Sequence, residues 1–150
     1  MAESVVPLDI GVVWDPNAPE AVLAANDMGV TALALYAHSD DEDQNPVVLV
    51  WRGSHYSSMG DPNDEALSGH RLYSKGLDSV AWVGQVHDSE LVVTLEKQNS
   101  AHTAHDPARF AELSHYIVLT KEQVVEVVAR GLSISRVAGR PRDAVIEALR

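Results

Sequence analysis

Seven histidines, His38, His55, His70, His87, His102, His105 and His115, are distributed over a chain of 150 residues. Imidazole is the side chain best suited to bind a metal or carry a proton near neutral pH. His102 and His105 stand at i, i+3 spacing, which on a helix would put both rings on one face, and His115 follows ten residues later. With Asp106 or Glu112 to complete the set, His102, His105 and His115 are the candidate ligands of a divalent metal. Against that reading, no HExxH motif accompanies them and the pair falls in a loop closed by Asp106-Pro107. The sequence therefore requires no cofactor, and a divalent metal is the one cofactor its residues could hold.

A second concentration of polar groups is Asn63-Asp64-Glu65-Ala66-Leu67-Ser68-Gly69-His70-Arg71-Leu72. His70 is the candidate proton-transfer residue here, and Glu65 is the candidate carboxylate to poise it. Arg71 and Lys75 are the only basic residues between 53 and 96. An anionic small ligand could be held by Arg71, by Ser68 and by the backbone donors of a short helix. His55 and Tyr56 extend the same polar zone. Serines 54, 57, 58 and 68 lie nearby, but no Gly-x-Ser-x-Gly elbow occurs, and serines beside turns normally act as caps.

Several classes are excluded or disfavoured. Nine glycines never fall into GxGxxG or GxxxxGK spacing, so nucleotide-loop chemistry is absent. With no cysteine, there are no disulfides, thiolate sites or cysteine nucleophiles, which favours a reducing compartment. Eleven basic residues against 22 acidic ones give a formal charge of -11, unfavourable for nucleic acid or an anionic membrane. No leader-like start and no long apolar run is present, so the expected location is the cytoplasm. Of these charges, residues 130–150 hold five arginines against Asp143 and Glu147, a local +3 that could meet an acidic partner or dock on the domain itself.

The elements that must position these groups follow from pattern. Val5–Trp14, Val30–Ala37, Pro46–Arg52, a continuation past Gly53, and Leu77–His87 read as strands. Tyr116–Thr120 and Gln123–Arg130 read as a hairpin, because valine and isoleucine lose side-chain freedom in a helix. A helix over 121–129 is the competing reading, because Lys121-Glu122-Gln123 is a good helix start. Helices are expected over 20–27, 62–68, 88–99, 107–113 and from Pro141 onward, on the strength of caps, N1 prolines and apolar stripes. The acidic stretch 39–45 is expected as an exposed hairpin loop. The fold class expected is α+β: a mainly antiparallel sheet of about five to six strands with helices on one face and a C-terminal helix, in a single domain over 1–150.

The function expected is that of a cytoplasmic binding or interaction protein whose polar surface comes from 54–75 and 98–105. Its partner would be a small anionic ligand or a protein. The alternative is a small metal- or histidine-dependent hydrolase or lyase. A sheet with a valine-rich hairpin also invites pairing of two copies, so a homodimer is expected.

Overall fold

Valine-rich runs became the centre of the fold. In a computed structural model, which describes residues 2–150, strands form over Val30–Leu35 (β3), Val47–Arg52 (β4), Ser114–Leu119 (β7) and Val124–Ala129 (β8). Shorter strands run over Ser4–Pro7 (β1), Val22–Ala25 (β2), Tyr56–Gly60 (β5), Val83–His87 (β6) and Gly131–Arg136 (β9). They make two antiparallel sheets, ordered β1-β6-β7-β8-β5 and β2-β3-β4-β9.

One ribbon joins the sheets. The pair β4 and β9 runs on as β5 and β8, so both chains of the ribbon leave one sheet and enter the other. At the crossing Gly53 adopts φ 63°, and the Arg130 N–H faces two carbonyls, Arg52 at 3.1 Å and Gly53 at 3.2 Å. One residue opposing two is the geometry of a bulge, which bends and twists a ribbon locally.

The sheets pack face to face over Trp14, Leu33, Leu49, Trp51, Tyr116, Val118, Val125 and Val127. Outside the four-stranded sheet lies the helix Pro141–Ala148 (α3), whose Ala144 and Val145 cover Ala32, Ala34, Val48 and Val50. Small side chains let that helix approach closely. Outside the five-stranded sheet lies a series of 3-10 turns, Asp64–Gly69, Tyr73–Lys75 and Leu77–Ser79. These place Leu72, Leu77 and Val80 on Val5, Val86, Ile117 and Val124. Because β4 is covered on both faces, Val47 to Trp51 are all buried, which is why that strand reads as an unbroken apolar run.

The α+β class and antiparallel pairing hold, but the single sheet expected from the sequence is two sheets sharing a ribbon. The helix expected over 20–27 is strand β2. Gly29, at φ 83°, serves a hairpin turn, and the Asn26 side chain accepts from the N–H groups of Met28 at 3.0 Å and Val30 at 3.2 Å. A left-handed glycine suits a helix C-cap and a hairpin equally, so residue type alone could not separate them. The cap of the 64–69 turn is Asn63, accepting from the Ala66 N–H, rather than Asp61. The first strand stops at Pro7, and the segment after it returns through a single bridge between Trp14 and Ala37.

The basic segment folds back on the acidic body. Arg136 pairs with Asp41 and Asp43, and Arg140 reaches Glu20 at 3.0 Å. No helix among the described residues is long and apolar enough to cross a membrane.

Candidate functional site

The bend of the ribbon builds a polar cleft of about 340 Å³, lined by His55, Asn99, His102, Ala104, Asp106, Arg109, Phe110 and Arg130. Ribbon residues supply His55, whose N–H is held by the Val128 carbonyl at 2.8 Å, and Arg130. Gly53 is needed beneath Arg130. A Cβ at position 53 would lie 2.9 Å from that side chain's Cγ and Cδ, so bare backbone is what lets the arginine stem lie flat across the bend.

The opposite wall comes from two helices. Ser89 caps Glu90–Asn99 (α1), which brings Asn99 to the cleft at its C-terminal end. Asp106 caps Pro107–Ala111 (α2), accepting from the Ala108 N–H at 3.0 Å, and proline occupies the first turn where no donor is missed. Phe110 is buried and meets the rings of His55 and His105 at centroid distances of 5.6 and 5.7 Å. This aromatic contact seats α2 on the ribbon and leaves Arg109 at the rim.

The charge of the cleft is cationic within an acidic chain. Arg109 has no salt bridge among the described residues, and Arg130 has only a 3.9 Å approach to the exposed Glu112. Exposed pairs of that kind contribute little, so both guanidinium groups keep donors for another acceptor. His102 accepts from the Ala104 N–H at 2.9 Å, which assigns the proton of its neutral ring to Nε2. His105 is turned away toward Asn99 at 3.2 Å and Glu96 at 3.8 Å.

A second polar array is buried on the far face of the five-stranded sheet. His115 Nε2 lies 2.8 Å from Glu126 Oε1, and His115 Nδ1 lies 2.7 Å from the Ser89 hydroxyl. The other carboxylate oxygen of Glu126 is 3.7 Å from His70 Nε2, while His70 Nδ1 accepts from the Leu72 N–H at 3.0 Å. Burial alone would push the Glu126 carboxyl up. The hydrogen bond from His115 and the nearby charges of His115, His70 and Arg71 outweigh that and hold it below the usual carboxylate range. The carboxylate partner of His70 is thus Glu126, in place of Glu65.

Arg71 is already engaged. Glu3, whose side chain is fully enclosed, accepts from Arg71 Nη1 at 2.8 Å, Lys75 Nζ at 3.2 Å and the Glu90 N–H at 2.9 Å. Burial works to raise the Glu3 carboxyl, and these hydrogen bonds reverse the direction. The arrangement foreseen for an external anion, a guanidinium beside helix N-terminal donors, is filled by the chain's own carboxylate.

Of the residues singled out by sequence, the cleft brings together His55, His102 and Asp106. Glu65 and Ser68 are exposed on the 3-10 turn and Tyr56 lies on the edge strand β5. His102, His105 and His115 do not converge. Among the described residues no group of three or more His, Cys, Asp or Glu side chains is placed to share a metal ion. Sequence reasoning missed Arg109 and Arg130 in the cleft, and Ser89 and Glu126 in the array; Asn99 fell within the 98–105 stretch expected to be part of the polar surface. One signal was present, for Glu126 is a lone carboxylate inside Val124-Val125-Glu126-Val127-Val128, and charge within a buried strand demands a partner.

The chain matches no protein-family model, no curated protein and no solved structure. The site has to be read from its own chemistry.

Proposed function

We propose that this chain is a binding protein for a small anionic ligand, taken up in the cleft between the ribbon bend and α2. The observation that carries the reading is the meeting of Arg109, Arg130, His55 and His102 around one cleft in a chain of net charge -11. Two lightly held guanidinium forks suit the paired oxygens of a carboxylate or phosphate. The Asn99 amide can supply a further donor, and the Phe110 and His55 rings give an apolar wall. Asp106 carries the opposite charge and caps α2 through Oδ1, and against it Arg109 and Arg130 leave the charged lining with one net positive charge. The polar surface expected from 54–75 and 98–105 thereby contracts to His55 on one side and the 99–109 segment on the other. The acidic body repels anions at long range, so selection rests on contact within the cleft.

Calorimetric titration with pyrophosphate and with citrate, on the native protein and on Arg109→Gln and Arg130→Gln, tests this. Saturable binding by the native chain that weakens at least tenfold in either variant supports the reading. Equal heats in all three proteins, or none, would refute it.

A further inference from the structure

A larger cleft of about 500 Å³ opens on the other side of Phe110, lined by Gln85, Val92, Val93, Leu113, Ser89 and His115 among others. We propose that Ser89 is a nucleophile toward small carboxylic esters that enter this cleft, with His115 as its base and Glu126 as the residue positioning the imidazole. This activity is separate from the anion cleft and does not depend on it.

The hydrogen bonds assign the protons. Glu126 carries a carboxylate and can only accept, so His115 donates from Nε2 across 2.8 Å, and its Nδ1 is left as a base. The Ser89 hydroxyl then donates to Nδ1 across 2.7 Å. A hydroxyl has two lone pairs. One accepts the Val92 N–H at 3.1 Å, and the second is left to attack. Nucleophile bonded to base, and base bonded to an orienting carboxylate, is the relation that nucleophilic catalysis needs on any fold.

Local structure places the serine at a corner. Strand β6 ends at His87, Asp88 turns the chain at φ 52°, and Ser89 opens α1. The imidazole comes from the adjacent strand β7 and the carboxylate from β8, so three neighbouring segments of one sheet hold the array in register. The second histidine of the array, His70, sits against the far oxygen of Glu126, and Arg71 adds positive charge there.

The step balances without a co-reactant other than water. Ser89 Oγ bonds to the ester carbonyl carbon as its proton passes to His115 Nδ1. The tetrahedral adduct expels the alkoxide, which leaves as alcohol with that proton. Water then attacks the acyl-serine with His115 again as base, and the acid departs as Ser89 regains its proton.

A fluorophosphonate tests the nucleophile directly, because Oγ–P bond formation expels fluoride and the adduct is stable. The native protein should gain one phosphonyl group by intact mass, mapped to Ser89 by peptide sequencing. In Glu126→Gln, which keeps an oxygen acceptor for Nε2, the maximal inactivation rate should fall at least tenfold while the half-saturating probe concentration stays the same. Melting curves run alongside show whether that variant remains folded, a comparison a purely structural carboxylate would fail. Ser89→Ala should abolish the adduct. If it does not fold, the mapped adduct on the native chain still decides the question. No adduct at Ser89 on folded protein, an adduct scattered over exposed serines, or an unchanged rate in folded Glu126→Gln would overturn the proposal.

Discussion

The Glu3 carboxylate accepts a 2.8 Å hydrogen bond from Arg71, although the two residues are 68 positions apart. The contact ties the edge strand β1 to the 3-10 segment and to the start of α1, since Lys75 and the Glu90 N–H share the same carboxylate. Glu3 has no exposed side-chain surface, whereas Arg71 and Lys75 are 46% and 36% exposed. Replacing Glu3 by Gln leaves two cations that water can reach, so the cost should be about 2 kcal/mol, below the range for a fully enclosed pair. Urea unfolding measures it.

Acid should weaken the fold through Glu3 and Glu126. Both carboxyls are held below their ordinary value of 4.5 in the folded chain. A group with a depressed folded pKa contributes stability that is complete above its unfolded value and is lost as pH falls through the folded value. Stability should therefore be level from neutrality to about pH 5 and then decline below about pH 4.5. Glu126→Gln should show a shallower decline than the native chain in pH-dependent denaturation. A steeper decline would mean that the carboxylate is not stabilised by its imidazole neighbours.

Gly53→Ala should damage fold and binding together. The left-handed backbone at φ 63° disfavours any side chain, and the new Cβ would meet the Arg130 stem. A loss of about 1–2 kcal/mol is expected from the backbone alone. The Arg130 guanidinium should also be displaced, so anion affinity should fall several-fold. Unchanged affinity in a destabilised Gly53→Ala protein would remove Arg130 from the ligand contacts.

Ile117→Ala tests the outer layer of the five-stranded sheet. Ile117 is fully buried beneath Leu72 and Leu77, so its truncation should cost about 3 kcal/mol by lost transfer energy and an unfilled cavity. Thermal unfolding would report it, and an effect below about 1 kcal/mol would show that the 64–79 segment covers the sheet only loosely.

What could be read from residues alone was local. Strands β3, β4, β7 and β8 were legible because runs of valine and isoleucine admit few alternatives, and α1, α2 and α3 were legible from Ser89, Asp106-Pro107 and Pro141 at their starts. Strand β2 was not, because Val22-Leu23-Ala24-Ala25 has helical composition and is extended only by pairing with Thr31–Ala34. The site was less legible still. His55 and His102 share a cleft only because α2 seats Phe110 against the ribbon bend, a contact between positions 55 apart in the chain. Glu126 meets His115 through the β7–β8 pairing, and His70 reaches the same carboxylate across the covering turns. Glu65 lost its assigned role because sequence nearness was a poor guide to side-chain direction.

The histidine rings offer the most direct test of the anion cleft, since each gives its own carbon-bound proton signals. Titrating the native protein with pyrophosphate to roughly 10 mM, a range that captures weak association, should move the His55 and His102 signals along one saturable curve. The His115 signals should stay in place, because that ring lines the separate cleft on the other side of Phe110 and is not part of the anion cleft's lining. Seven sets of signals drifting together, or His55 and His102 remaining still at saturation of every other response, would contradict the account.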